Sequence, residues 1–171
     1  QRPAACRAVP TGGLVLRRGG PRDTSLGRGG GSLRWTSTKT GGFREYPLSA
    51  HSLRAIDEIF GYEIPSETQA AVLPYALSLQ EDLVVQAKTG TGKTMAYLLP
   101  AIEAVVAQPP VGIGVIIIAP TRELSQQILT EAEKLLTFSP YTVAGLVGGT
   151  SRKSDQALLK KRRPQIIVAT P

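Results

Sequence analysis

The octapeptide AKTGTGKT, Ala87 to Thr94, lies between a short apolar run, Leu83 to Gln86, and a stretch with helical apolar spacing from Lys93 to Ala107. It fits the phosphate-binding pattern G-x-x-x-x-G-K-[ST] except for Ala87 in the first glycine position. Such a loop works only between a strand and a helix. Gly90 and Gly92 let the backbone turn so that successive N–H groups converge, and the following helix points its positive end at the same place. Lys93 is then set to reach the β- and γ-phosphates and the Thr94 hydroxyl to hold Mg²⁺, which makes these two the candidate catalytic residues and Thr94 the candidate metal ligand. Ala87, Lys88, Thr89, Gly90, Thr91 and Gly92 complete the cradle. The competing reading is a glycine-rich strand-to-helix turn that holds no ligand.

The surrounding pattern agrees with a strand–loop–helix unit. Ser49 caps a short amphipathic helix through Leu53, Ile56 and Phe60, closed by Gly61. A second helix starts at Ser66 and carries Ala70, Leu73 and Leu77 on one face, with Pro74 expected to bend it. Short apolar strands follow at Leu83 to Gln86, Gly114 to Ala119, Thr142 to Val147 and Gln165 to Ala169. Helices are expected between them at Lys93 to Ala107, Arg122 to Thr137 and Arg152 to Lys161. Alternation of this kind, with strands apolar on both faces, predicts an α/β fold: a parallel sheet flanked by helices and joined by right-handed crossovers. Ligands of such sheets bind beyond the carboxyl ends of the strands, so the residues following each strand are the candidates for function.

The chain carries a net charge of +7, but the charge is confined to one end. Residues 1–42 hold eight basic residues against one acid, Asp23, and ten of the eighteen glycines. Residues 43–171 hold twelve of each sign, so the global basicity says nothing about what the domain binds. A glycine-rich, one-sidedly charged segment cannot offset its ordering entropy, and residues 1–42 are expected to be a disordered leader. Arg-rich, Ser/Thr-containing and nearly acid-free is the composition of a mitochondrial transit peptide, which points to the mitochondrial matrix. A solvated basic tail and an RNA-tethering arm are the alternatives, with the cytoplasm or nucleus as the location. Cys6 is the single cysteine, so no disulfide partner is expected, and His51 is the single histidine. No apolar run nears the ~20 residues that span a bilayer, and no membrane partner is expected.

Two further segments narrow the reading. GYEIPSETQ, Gly61 to Gln69, precedes the loop, with the aromatic Phe43 upstream, and PTREL, Pro120 to Leu124, follows the strand VIIIA. The Gln69 amide both donates and accepts, as reading an adenine edge requires, but Ser66 and Gln69 also spell an S-x-x-Q capping box. Thr121 and Arg122 open a helix after a strand, where free N–H groups and a fork of guanidinium donors suit a phosphate. Gly148 and Gly149 close the third strand, and Thr170 follows the fourth. Arg152, Lys153, Lys160, Lys161, Arg162 and Arg163 make the last helix strongly basic, which is read as a solvated face.

Together, in this order and spacing, these motifs resemble those of the DEAD-box RNA helicases over residues 43–171. The resemblance implies a RecA-like ATP-binding domain with ATP and Mg²⁺ as cofactors and RNA, contacted through its backbone without base reading, as partner. It implies that Gln69 reads adenine with Phe43 packing on the base, and that Pro120, Thr121, Arg122, Gly148, Gly149 and Thr170 contact RNA. Thr170 and Pro171 match only the first half of the family's T-P-G-R motif. The D-E-A-D and S-A-T motifs and the second RecA-like domain are not in the chain. The sheet is therefore expected to be truncated, with an exposed apolar edge, and the fragment alone to lack RNA-stimulated ATP hydrolysis. Joined to an Arg-rich leader, the domain is most similar to fungal mitochondrial helicases of intron splicing. A non-enzymatic RNA-binding module on the same fold, or another P-loop NTPase, are the alternatives.

Overall fold

The computed structural model describes residues 15–19, 41–78 and 82–171. Phe43–Glu45 forms a single 3₁₀ turn, after which α1 (Ala50–Ala55) starts at Ser49, whose hydroxyl accepts the Ser52 N–H. The expected helix does run on to Gly61, but its last turn, Ile56–Phe60, widens to π geometry, which the spacing of Leu53, Ile56 and Phe60 does not reveal. The Ser49 backbone N–H and hydroxyl both donate to the Glu103 carboxylate, at 3.0 and 2.9 Å, tying α1 to the helix that follows the phosphate loop. α2 (Glu67–Ala76) begins at Ser66 and carries Pro74 in its last turn, two residues before its end.

β2 (Asp82–Gln86) leads through the loop into α3 (Lys93–Ala107). There follow β3 (Val115–Ile118), α4 (Arg122–Leu135), β4 (Val143–Leu146), α5 (Arg152–Arg162) and β5 (Ile166–Ala169). β3, β5 and β4 form a parallel sheet in that order, with β5 central. The chain moves from β3 out to β4 and back to β5, an order for which the right-handed crossover rule puts α4 and α5 on opposite faces. The α/β class and the parallel sheet flanked by helices are as the sequence predicts.

Two expectations need correction. The sheet holds three of the four expected strands, because β2 is not hydrogen-bonded to any of them. It pairs instead, antiparallel, with β1 (Val15–Gly19), Val15 opposite Gln86 and Gly19 opposite Asp82. This segment lies inside the leader expected to be unstructured. A strand's N–H and C=O groups need partners, and β1, beginning with Val15 and Leu16, supplies them to β2 from a segment distant in sequence. The rest of the leader expectation, residues 1–14 and 20–40, lies outside the described residues.

The core is built from Ile56, Leu73, Leu98, Leu99, Ile102, Leu135, Ile166 and Val168, all fully buried. Each contributes about 1.5–3 kcal/mol by leaving water. The central strand β5 is buried on both faces, whereas Ile116 and Ile118 of β3 are 64% and 69% exposed, the apolar surface expected of this sheet. The topology brings the residues after β3, β4 and β5 together at the carboxyl edge of one parallel sheet, with the loop after β2 held separately by α2.

Candidate functional site

The phosphate loop is held from both sides. Gly92 caps α3 at φ +77°, and a Cβ there would lie 2.5 Å from Gln69 Nε2 and 3.0 Å from Ser66 Oγ. Only glycine satisfies both the left-handed backbone and the close approach of α2. Gln69 Nε2 donates to the Gly92 carbonyl at 3.2 Å, and the Ser66 hydroxyl donates to the Thr91 carbonyl at 2.8 Å. Gln69 Oε1 accepts the Ser66 N–H at 2.9 Å while Ser66 Oγ accepts the Gln69 N–H, so the capping box is complete. The helix cap and the loop brace are thus one construction, and Gln69 is 4% exposed. One amide hydrogen and one lone pair of its side chain are not used by these two contacts.

Lys93 Nζ donates to the Ala87 carbonyl at 2.6 Å and also to the Lys88 carbonyl. The Thr91 hydroxyl donates to the same Lys88 carbonyl at 2.9 Å. Lys93 therefore closes the loop onto itself, and reaching a phosphate means exchanging these bonds. Thr94 occupies the first turn of α3, one turn before Tyr97. The Tyr97 phenol is held above its ordinary range by burial, with the Thr94 hydrogen bond opposing and the Glu131 carboxylate adding to the rise. The neighbouring Glu131 carboxyl is itself raised by burial, against the pull of Lys134.

Phe43 departs from expectation. Its ring is 3% exposed and belongs to the main core, so it offers no open face on which a base can stack. Aromatic area of this size is worth more buried than displayed, and the 3₁₀ turn that carries it directs the ring inward.

At the next strand end Thr121 caps α4, its hydroxyl accepting the Leu124 N–H at 3.2 Å. Hydrogen bonds from its own N–H and from Thr121 keep the exposed Glu123 carboxyl below the usual carboxylate range. Pro120, Thr121 and Arg122 are all exposed. The Arg122 guanidinium lies flat on the glycine doublet that follows β4: a Cβ on Gly149 would meet Nη2 at 2.7 Å, Nη1 at 3.1 Å and Cζ at 3.2 Å. Gly149 has φ +93°. The Gly148 N–H donates to Thr170 Oγ1 at 3.1 Å, and the Thr170 N–H donates to the Leu146 carbonyl at 3.1 Å. Residues from three separate strand ends, Arg122, Gly148, Gly149 and Thr170, thereby form one surface. Among the described residues no hydrogen bond or ion pair engages the Arg122 guanidinium, which lies against Gly149 with its charge acting on the neighbouring Glu123.

The sequence separates Arg122 from Gly149 and Ser66 from Thr91, and nothing in residue spacing announces either contact. Ser66 is the functional residue that motif reading gives only as a cap. No group of three or more His, Cys, Asp or Glu able to hold a metal occurs among the described residues. Hydroxyl oxygens at the loop come from Thr89, Thr91 and Thr94, of which Thr91 is engaged with the Lys88 carbonyl; a lone hydroxyl suits a hard cation that takes its other ligands from phosphates and water. No described helix is long and apolar enough to cross a membrane.

Comparison with known proteins agrees with this geometry. DEAD-box ATP-dependent RNA helicase 26 of Arabidopsis thaliana is 43% identical over 137 residues, covering 75% of this chain and 16% of that protein. The chain spans about a sixth of the length of that relative. The crystal structure of the RNA helicase Prp28 from Chaetomium thermophilum bound to ADP superposes with a TM-score of 0.66 at 32% identity, covering 93% of this chain and 35% of that one. The DEAD-box helicase Mss116 bound to ssRNA and UDP-BeF gives a TM-score of 0.66 at 29% identity, over 75% of this chain and 27% of its own. The DEAD/DEAH box helicase family model matches residues 66–171, from the cap that braces the loop to the last strand end, and the chain belongs to that family.

Proposed function

We propose that this chain forms the nucleotide- and RNA-binding domain of an ATP-dependent RNA helicase that couples ATP hydrolysis to the remodelling of RNA duplexes. The observation that carries the reading is the pairing, at the strand ends of one domain, of a braced phosphate loop with a surface built from Arg122, Gly149 and Thr170. The loop amides and the α3 N-terminus receive the phosphates, and Lys93 trades two backbone carbonyls for phosphate oxygens. The free hydrogen and lone pair of the Gln69 amide face the remaining task of telling adenine from guanine. The Thr94 hydroxyl would hold Mg²⁺, which would supply neutralisation of phosphate charge. Arg122 and the N-terminus of α4 engage the backbone of RNA, which positions without reading sequence.

The test uses the full protein. Lys93→Ala is expected to weaken ATP at least tenfold, in line with about 1.5–3 kcal/mol for hydrogen bonds to a charged group, and to abolish RNA-stimulated hydrolysis. Arg122→Ala is expected to weaken RNA and spare ATP. Unchanged ATP affinity in Lys93→Ala sinks the reading.

We further propose a mitochondrial role in RNA processing, intron splicing included. The support is the composition of residues 1–42, with eight basic residues and a single acid. Fusing residues 1–42 to a fluorescent reporter tests it, and a diffuse cytoplasmic signal overturns it.

A further inference from the structure

The charge balance of residues 43–171 is neutral overall but unevenly placed. Six of its twelve basic residues, Arg152, Lys153, Lys160, Lys161, Arg162 and Arg163, fall between Arg152 and Arg163 with the single acid Asp155. The rest of the domain holds six basic and eleven acidic residues, so it is net negative. All six cations are exposed, and α5 has no buried residue. Among the described residues none of the six pairs with an acid. Asp155 is engaged instead by the Thr150 hydroxyl at 3.0 Å. The helix dipole favours cations in the last turn, but only by about 0.3–1 kcal/mol and only within that turn. That accounts for a lysine, not for four consecutive cations running past the helix end to Arg163, the one described non-glycine residue with positive φ.

Topology places the cluster. α5 descends from the carboxyl end of β4 to the start of β5, so Arg152 and Lys153 stand beside the Gly149 turn. Lys160 to Arg163 then lie about 12–16 Å from Arg152 at 1.5 Å per residue, towards the opposite pole of the sheet. We propose that α5 is a second anionic-backbone site: Lys160, Lys161, Arg162 and Arg163 hold a stretch of RNA that extends past the Arg122 surface along this flank. The partner is a polyanion rather than a membrane, because the exposed positions of α5 carry no large apolar side chain to insert. RNA is the polyanion that the proposed function already brings to the adjoining surface, and the inference rests on that reading.

The experiment is the fourfold variant Lys160→Gln, Lys161→Gln, Arg162→Gln and Arg163→Asn in the full protein. Asn tolerates the left-handed backbone at 163, and no core residue is touched. Binding is measured against salt for a short single-stranded oligonucleotide and for a long RNA. Expected are an unchanged short-oligonucleotide affinity and ATPase stimulation. For long RNA the affinity should fall about tenfold or more, with the log–log salt slope reduced by about 3 for four lost phosphate contacts. An unchanged slope and affinity for long RNA overturn the site, whether α5 is merely solvated or serves an acidic protein. Equal losses on short and long RNA also overturn it, since they place the cations in the Arg122 surface. Failure of the broader reading looks different: Arg122→Ala would then leave RNA affinity intact.

Discussion

Gly92 and Gly149 are each a left-handed turn, at φ +77° and +93°, lying under a polar side chain that a Cβ would displace. Their surroundings differ in readiness. Around Gly92 the polar groups are spent on the protein: Gln69 and Ser66 hold the Gly92 and Thr91 carbonyls, and Lys93 holds those of Ala87 and Lys88. Around Gly149 the guanidinium of Arg122 packs against the backbone beside the Glu123 charge, with none of its donors in a hydrogen bond among the described residues. One device therefore serves two ends. The phosphate loop must exchange internal bonds before it grips a ligand, while the Arg122 fork is set in place beforehand and loses little freedom on binding.

The largest effect is expected at the loop. Gly92→Ala adds left-handed strain of about 1–2 kcal/mol and drives a methyl into Gln69 and Ser66, so both brace and backbone shift. ATP affinity, read by titration with a fluorescent ATP analogue, should fall on the order of a hundredfold, with RNA affinity in the absence of nucleotide unchanged. Loss of RNA affinity to the same degree would mean that the two surfaces are not separate.

Next comes Gly149→Ala, expected to lower RNA affinity about tenfold by displacing a charged donor group. The informative measurement is the double-mutant cycle with Arg122→Ala. With the guanidinium gone the methyl has nothing to displace, so Gly149→Ala should cost nothing further in RNA affinity. Additive losses would reduce Gly149 to a backbone requirement with no role in placing Arg122.

Most of this could be read in residue order, and the exceptions have physical reasons. Capping at Ser49 and Ser66, the Gly61 stop and the helices after each strand follow from local chemistry, which is complete within a few residues. The partition of the strands did not, because hydrogen-bond pairing joins Val15 to Gln86 across seventy residues of intervening chain. Burial of Phe43 was equally hidden: an aromatic residue before a helix looks the same whether its ring meets a base or a core. Gln69 shows why two readings of one residue need not compete. Its cap and its loop contact use opposite ends of one amide.

That double use predicts a mixed phenotype for Gln69→Ala. Removing the brace should weaken ATP and GTP alike by roughly fivefold, the equivalent of about 1 kcal/mol for a lost cap. Any additional loss confined to ATP measures adenine recognition. Unchanged GTP affinity would show that the brace does not support the loop.

The smallest effect is expected one residue before the sharpest RNA-side contact. Gly148 does not have positive φ, and a Cβ there would meet Arg122 Nη2 at 3.8 Å and Thr170 Oγ1 at 3.9 Å, ordinary contact distances. Its N–H bond to Thr170 is made by the backbone and survives substitution. Gly148→Ala should therefore change RNA affinity less than twofold, within the ±0.5 kcal/mol usual for surface replacements. If Gly148→Ala is as damaging as Gly149→Ala, then what the doublet provides is room for the RNA backbone itself rather than a seat for Arg122. The contrast between the two neighbouring methyl groups separates those possibilities in a single binding assay.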